Sequence, residues 1–274
     1  METVKLQSMK IGTGFRASTL RGGEGATSID PFLGVDHAYM SAPTFQPHPH
    51  AGFSAVSYLF EDSQTGILNR DSRGTHNLIQ PGGLHWTAAG RGIVHEEIPA
   101  QADKMVHMLQ IFVNLADHKQ SAEPFALSIA PKEVPVVKRA GATIRVPLGS
   151  YGDVISPLQA PTVVTLLDVS LDAGAEVSIP ISAGNNAFVI PIQGHVRMDG
   201  RDFAGDELTA VIYTEKSIAK EIKIQAVDGV AQVVVFVGMP LKQPVYWKGS
   251  LALASPEALV DRITAYQRGE FGTL

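Results

Sequence analysis

Two short motifs decide how this chain can fold and what it can bind: residues 47–53 read PHPHAGF and residues 90–97 read GRGIVHEE. Side chains alternate between the two faces of a β-strand, so His48 and His50 share one face if the first motif is extended. Proline fixes its own φ and disfavours a helical conformation for the residue before it, which supports an extended first motif. The His-x-Glu of the second motif follows the same alternation.

The four side chains His48, His50, His95 and Glu97 are therefore predicted to converge on one metal ion inside a β-barrel, where interior and exterior positions alternate along each strand. A single histidine is more often a hydrogen-bonded structural residue than a ligand, whereas two pairs of matching parity favour a metal. Seven of the nine histidines lie between residues 37 and 107, which concentrates ligand chemistry in one part of the chain. The sequence has no cysteine, so the metal ligands must be nitrogen and oxygen.

The composition is that of a globular protein that binds neither nucleic acid nor membrane. The 274 residues are 45% hydrophobic and 18% charged, which is enough apolar material for one large domain or two ordinary ones. A net charge of −5 argues against direct nucleic-acid binding, which needs a basic surface. No apolar run is long enough for a membrane span and no signal peptide is recognisable, so we expect a cytoplasmic protein.

Strand-like segments recur in two series and predict an all-β protein with two barrels. In each series, runs of β-branched and aromatic residues alternate with turn residues at spacings typical of barrels or sandwiches rather than βαβ units. The second series has Pro180 and Ser182 where the first has His48 and His50. Neither Pro180 nor Ser182 is a good ligand for a transition metal, so the second barrel is predicted to lack a metal.

A single helix is predicted near the end of the chain. Ser255 is a suitable N-cap, Pro256 suits the first helical position, and apolar residues follow at positions 259, 260, 263 and 266. The predicted domains are a metal-binding barrel (1–135), a linker and entry segment (136–160), a second barrel without ligands (161–240) and a tail with the helix (241–274).

The first half of the chain resembles the pirin family, a bicupin group of the cupin superfamily. The matching segments are DPFL at 30–33, HPHxGF at 48–53, RDSxG at 70–74, PGG at 81–83 and WTAAGRGIVHEE at 86–97. The resemblance implies two cupin-type barrels with a short C-terminal helix, and a mononuclear transition metal in the N-terminal barrel. Fe(II) is the expected ion, with other divalent metals as alternatives, held by three histidines and one glutamate that correspond to His48, His50, His95 and Glu97.

The resemblance also implies an activity like that of quercetin 2,3-dioxygenase, with a small flavonol-like aromatic and O₂ as substrates. Glu97 would be the catalytic base, and Phe53, His85 and Trp86 are predicted to line the substrate pocket. Ser54 and Asn69 depart from the family pattern, in which Glu and His are frequent, and this changes the expected polarity near the site.

Two other functions remain open. The first is an iron-binding regulatory or redox-sensing protein that acts on a protein partner without turnover, because the same four ligands would serve it. The second is a cupin isomerase or hydrolase acting on sugars, which would need several basic residues near the ligands. Only Arg70, Arg73 and Arg91 are candidates for those basic residues.

Overall fold

A computed structural model describes residues 1–22 and 29–274. The glycine-rich residues 21–25, whose composition is typical of a turn, therefore lie mostly outside the described residues. The described chain is built from β-strands and a single α-helix, so the all-β prediction is confirmed. No helix in the described ranges is long and apolar enough to cross a membrane.

The strands are short and follow one another closely along the chain. Those of the first half are β1 (Glu2–Lys5), β2 (Gln7–Ile11), β3 (Phe15–Arg21), β4 (Phe32–Met40), β5 (His48–His50), β6 (Phe53–Leu59), β7 (Ile67–Asp71), β8 (His76–Ile79), β9 (Leu84–Ala88), β10 (Ile93–Pro99), β11 (Val106–Asn114) and β12 (Phe125–Ile129). Those of the second half are β13 (Val136–Arg139), β14 (Ala142–Leu148), β15 (Ser150–Tyr151), β16 (Val154–Ile155), β17 (Val164–Leu171), β18 (Glu176–Ile181), β19 (Asn186–Gln193), β20 (His195–Met198), β21 (Arg201–Ala204), β22 (Thr209–Tyr213), β23 (Lys220–Ala226), β24 (Ala231–Gly238), β25 (Tyr246–Lys248) and β26 (Leu251–Leu253).

The chain forms two compact units, and each is assembled from separated segments. Unit A contains Ser8–Arg21, Pro31–Pro131 and Leu241–Leu274. Unit B contains Met1–Gln7, Gly22–Asp30 and Lys132–Pro240. The C-terminal segment that follows Pro240 thus packs with the histidine-rich first half of the chain. The four-part domain division remains a sequence-based prediction.

Each unit contains a seven-stranded and a four-stranded antiparallel sheet. In unit A the strand orders are β12-β9-β6-β11-β4-β3-β2 and β5-β10-β7-β8. In unit B they are β1-β22-β19-β24-β17-β14-β13 and β18-β23-β20-β21. The same pair of sheets in both units agrees with the duplicated pattern of the sequence. The apolar alternation of the unit B strands fills that unit with packed aliphatic side chains, including Ile144, Val169, Val211 and Val233.

The helix α1 (Pro256–Gln267) begins as the sequence predicts. The Ser255 side chain accepts a hydrogen bond from the backbone N–H of Ala258 at 3.1 Å, and Pro256 opens the first turn. The predicted apolar stripe is only partly correct. Leu259 and Ile263 pack in the apolar cluster of unit A together with Ala265, as do Ala51, Val94 and Phe271. Val260 and Tyr266 are instead exposed, because the buried face is shifted around the helix towards Ala265.

Candidate metal centre

The histidine motifs occupy neighbouring strands of the four-stranded sheet of unit A. Strand β5 pairs antiparallel with β10, and His48 lies directly opposite His95. His50 lies two residues along β5 on the same face, so strand alternation brings the three imidazoles together as the sequence predicts. Glu97 lies two residues beyond His95 on β10 and is buried, although its carboxylate is not one of the tightly grouped atoms.

The three imidazole rings direct their Nε2 atoms at one another. The Nε2 of His95 is 3.0 Å from that of His50 and 3.1 Å from that of His48. Backbone carbonyl oxygens set the tautomers of the other two rings. His48 donates through Nδ1 to the Gln46 oxygen at 2.9 Å, and His50 donates through Nδ1 to the Ser250 oxygen at 3.3 Å. A carbonyl oxygen can only accept, so the Nε2 atoms of His48 and His50 present lone pairs towards His95.

This arrangement fits a metal ion better than it fits a hydrogen-bonded cluster. One proton on the Nε2 of His95 could serve only one of the two facing lone pairs. The buried Nδ1 of His95 has no hydrogen-bond partner among the described residues, so no neighbouring group there fixes the tautomer of this ring. If an ion is bound about 2.1 Å from each of two nitrogens and the two bonds form a right angle, the nitrogens lie about 3.0 Å apart. This separation agrees with both of the Nε2–Nε2 distances given above. Imidazole nitrogens suit first-row transition metals.

Burial keeps these imidazoles neutral, which is the form that binds a metal. Desolvation lowers the pKa of His50 to about 3, with the neighbouring His48 adding to the effect. Desolvation likewise lowers the pKa of His48 and takes that of His95 well below its ordinary value, His50 and His48 contributing to the latter. None of the three needs to lose a proton at neutral pH before binding an ion.

Glu97 is buried, makes no ion pair with the residues that the structure describes, and is held by a serine. The Ser57 hydroxyl lies 2.7 and 2.9 Å from the two carboxylate oxygens, and it can donate its single proton to one of them at a time. Desolvation raises the pKa of Glu97 to about 7, and the hydrogen bond from Ser57 opposes the rise. Near neutral pH the carboxyl can therefore both hold and release a proton.

The C-terminal segment of unit A braces the first histidine motif. Ser250 accepts from His50 through its carbonyl oxygen and donates through its hydroxyl to the Pro49 oxygen at 2.5 Å. Gly52 has φ +84°, and a Cβ built on it would lie 2.0 Å from the carbonyl oxygen of Ala252. The glycine of the HPHxGF motif is thus required both by its backbone conformation and by the close approach of β26.

The imidazoles and Glu97 open into a cavity of about 240 Å³ within unit A. Its wall is mostly apolar and includes three phenylalanine and three methionine side chains. The lining residues are Met9, Phe15, Arg21, Asp36, Ala38, Met40, Phe45, His48, His50, His95, Glu97, Met108, Gln110 and Phe112. A flat aromatic molecule would find matching surfaces here, with polar groups at a few defined points.

The three residues predicted to line the substrate pocket lie outside the cavity wall. His85 is opposite Ser57 on β6, so it shares the interior face, but it bonds to Ser128 through Nδ1 at 2.8 Å. Trp86 is the next residue on β9, so it points to the other face of the sheet, where it is fully buried. Phe53 packs edge-on against the ring of His50, with the two ring centroids 5.2 Å apart, and this contact supports the position of His50.

The basic residues considered from the sequence also lie elsewhere. Arg70 pairs with Glu96, Arg73 donates to the Gly92 carbonyl oxygen, and Arg91 pairs with Glu123. The cation that does line the cavity is Arg21, paired with Asp36. Sequence reasoning missed it because the residue precedes a glycine-rich stretch and resembles a loop charge.

Asp36 and His37, which precede the first histidine motif, are part of a strand. Both lie on β4 and are buried, on opposite faces of the sheet. Asp36 faces the cavity, whereas the Nε2 of His37 lies 2.7 Å from that of His107. His107 is also hydrogen-bonded through Nδ1 to Asp62 at 2.6 Å. This second histidine pair does not line the cavity. Within the described residues, neither ring contacts His48, His50, His95 or Glu97.

Comparisons with known proteins agree with this fold. The family model described as Pirin matches residues 14–113, and the model described as Pirin C-terminal cupin domain matches residues 166–272. A pirin-like protein of Caulobacter vibrioides is 30% identical over 279 residues, covering 99% of this chain and 98% of the relative. A Pseudomonas aeruginosa protein named "Putative quercetin 2,3-dioxygenase" is 28% identical, covering 94% of this chain and 92% of the relative.

A solved structure extends the fold comparison to the whole chain. The crystal structure of a quercetin 2,3-dioxygenase from Acinetobacter baumannii matches with a TM-score of 0.85 and 23% identity, covering 100% of this chain and 98% of that one. The predicted bicupin fold is therefore confirmed. Two family models that together match more than half of the chain, and a relative that covers nearly all of it, show that this chain belongs to the pirin family.

Proposed function

We propose that this chain is a metal-dependent dioxygenase that uses O₂ to cleave the heterocycle of a flavonol, at a mononuclear centre held by His48, His50, His95 and Glu97. The observation that carries the proposal is the convergence of three neutral imidazoles on the wall of a largely apolar cavity that also contains a buried glutamate. The names of the Pseudomonas and Acinetobacter proteins support the choice of substrate.

Fe(II) is the proposed ion, and other divalent first-row metals would suit the same nitrogen and oxygen donors. When bound, such an ion lowers the pKa of a coordinated hydroxyl and brings the substrate and O₂ together at one centre. The cysteine-free composition agrees with the cytoplasmic setting that we propose for the protein.

Glu97 is proposed to act as the base that takes the proton of the flavonol 3-hydroxyl onto a carboxylate oxygen. A base is most effective when its pKa lies near the working pH, and burial brings the pKa of Glu97 to about 7. The Ser57 hydroxyl, 2.7 Å from Oε2, orients the carboxylate and can hand its hydrogen bond from one oxygen to the other as the proton arrives. Ser57 is thus a positioning residue.

The remaining cavity residues hold the ring system and keep water away from it. Phe15, Phe45 and Phe112 provide flat apolar surface, and Met40 and Met108 fill the space between them with flexible side chains. Gln110 offers a polar contact on the same wall and lies within 3.2 Å of the Ser57 hydroxyl through its side-chain oxygen. These contacts would place the reacting hydroxyl beside Glu97.

The experiment is oxygen uptake and quercetin loss by protein loaded anaerobically with Fe(II), with carbon monoxide measured as the product of heterocycle cleavage. We expect quercetin-dependent uptake in the wild type, loss of metal and activity in His48→Ala, and retention of both in His195→Ala. His195 is the matched control because it is an exposed histidine on β20 of unit B.

The alternative is an iron-binding regulatory or redox-sensing protein that acts through a protein partner. Stoichiometric iron that depends on His48, without oxygen uptake across a panel of flavonols, would favour it. Protein that binds no metal under these conditions would refute both functions.

A further inference from the structure

We propose that Arg21 determines ligand specificity in the cavity by binding a planar pair of oxygen atoms, either adjacent hydroxyl oxygens of a catechol ring or the two oxygens of a carboxylate. This inference rests on the proposed function, because it assigns a second contact to the ligand that the metal would bind. It predicts that good ligands have an oxygen pair separate from the metal-binding oxygens.

The side chain of Arg21 passes closely over the glycine at position 34 on its way to the cavity. Arg21 is the last residue of β3 and lies opposite Gly34 on β4. A Cβ built on Gly34 would lie 3.0 Å from Cδ of Arg21 and 3.2 Å from its Nη1. The arginine therefore crosses the backbone of β4 at the one point where no side chain obstructs it, and its guanidinium meets Asp36 two residues along that strand.

The hydrogen bonds that Arg21 makes with the described residues leave one edge of its guanidinium available. Nη1 donates to the Leu20 carbonyl oxygen at 3.0 Å and to Oδ1 of Asp36, and Nη2 donates to Oδ2 of Asp36 at 3.0 Å. A guanidinium has five N–H donors, so Nε–H and the second hydrogen of Nη2 take no part in the bonds made with the described residues. These two donors lie parallel along one side of the plane, an arrangement that matches a planar pair of oxygens.

The surroundings of Arg21 hold the guanidinium in place while leaving it accessible. The Asp36 side chain is 8% exposed, whereas that of Arg21 is 43% exposed. The guanidinium carbon lies 5.6 Å from the centre of the Phe112 ring, and the same ring lies 6.4 Å from that of His50. One aromatic side chain thus links the metal-ligand candidates to Arg21 along a continuous wall.

Arg21 is the single lysine or arginine among the described residues that line the cavity. The volume of about 240 Å³ is also small, since ligand pockets typically measure roughly 300–1,000 Å³. A ligand bound to the histidines must therefore approach the other walls, including Arg21. Because Asp36 already balances the charge of Arg21, directed hydrogen bonds rather than net charge would decide which ligands bind.

The test is ligand binding to Ni(II)-loaded protein, measured by quenching of tryptophan fluorescence, so that no turnover is needed. Quercetin and galangin are the first pair of probes, because they differ only in the two B-ring hydroxyls. The second pair is 4-hydroxybenzoate and phenol, which differ by a carboxylate. The variants are Arg21→Met, Arg21→Lys and, as a matched control, Arg197→Met, since Arg197 makes a similar two-bond contact with Asp202 outside the cavity lining.

We expect the wild type to bind one oxygen-rich probe roughly tenfold more tightly than its partner, as for one charge-assisted hydrogen-bonded contact. Arg21→Met should remove this preference by weakening the oxygen-rich probe alone. Arg21→Lys should retain only part of it, because an ammonium lacks the paired donors. Arg197→Met should behave as the wild type.

The two probe pairs separate failure of this inference from failure of the proposed function. If neither flavonol binds but 4-hydroxybenzoate shows an Arg21-dependent preference over phenol, the flavonol proposal is refuted and the role of Arg21 stands. A preference in either pair that survives in Arg21→Met, or the absence of any preference in both pairs, would overturn the role of Arg21.

Discussion

Replacing Glu97 by glutamine should make the metal-free protein more stable above neutral pH, although it removes a proposed metal ligand. The carboxylate is buried, and desolvation raises its pKa from 4.5 to about 7. Because the folded state holds this proton more tightly than the unfolded state, the neutral carboxyl contributes stability that is complete below pH 4.5. That stability is lost as the pH rises through 7.

The size of the effect follows from the shift in pKa. At about 1.4 kcal/mol for each pKa unit, the shift corresponds to about 3 kcal/mol between the two limits, and most of it falls between pH 5 and pH 8. Glutamine has a similar shape and does not titrate, so the variant should lack this contribution to the pH dependence. The neutral amide can still accept a hydrogen bond from the Ser57 hydroxyl, which lies 2.7 Å from one carboxylate oxygen.

The assay is urea unfolding of chelator-treated wild type and Glu97→Gln at several pH values between 5 and 8. Both tryptophans, Trp86 and Trp247, lie in unit A, so their fluorescence reports the unfolding of the unit that contains Glu97. Buried histidines with lowered pKa values add stability as the pH rises towards 6.5, but they do so equally in both proteins. The difference between the two proteins therefore isolates Glu97.

We expect the unfolding free energy of the wild type, relative to the variant, to fall by about 2–3 kcal/mol from pH 5 to pH 8. Parallel pH profiles would refute the reasoning, because they would mean that the carboxyl has an ordinary pKa in the folded protein. A wild type that gains relative stability with rising pH would refute it more strongly, since the carboxylate would then have a partner that the structure does not provide.

Three further predictions concern the ligands, the close approach at the site and the helix. Metal at about 100 times its dissociation constant should stabilise the wild type by about 2.7 kcal/mol in thermal unfolding, and His95→Gln should abolish this rise. Gly52→Ala should cost at least about 2 kcal/mol in urea unfolding and lower the metal content, because its Cβ would meet the Ala252 oxygen. Gly74→Ala is the control, since Gly74 has φ +90° but a Cβ built on it would meet open space. An equal loss of unfolding free energy in both variants would mean that backbone strain, and not the contact with Ala252, causes the loss. Ser255→Ala should cost about 1 kcal/mol in urea unfolding without changing the metal content, and a loss of metal would contradict a purely capping role.

Sequence reasoning predicted which side chains of each motif share a face because that property is local. Strand alternation determines which face His48 and His50 share, and it needs no knowledge of the rest of the fold. The same rule bears on the substrate-pocket prediction, because His85 and Trp86 are adjacent on one strand and cannot both face its interior. Parity alone would have separated them.

The features that sequence reasoning missed depend on contacts between distant residues. Arg21 enters the cavity across Gly34 of the neighbouring strand, and no sequence pattern within either segment predicts this close approach. The carbonyl of Ser250 orients His50 from 200 positions further along the chain. A backbone oxygen carries no residue signature, so such a support cannot be read from residue types.

The dependence of His50 on Ser250 also has a consequence for the order of events during translation. Glu97 leaves the ribosome roughly 10–30 s before Ser250 at ordinary elongation rates. Throughout that interval, the nascent chain carries every candidate ligand but lacks the turn residue whose carbonyl oxygen orients His50. Metal capture should therefore be a late step in biosynthesis, and ribosome-bound chains stalled before residue 250 should release an ion faster than chains stalled after the helix has emerged.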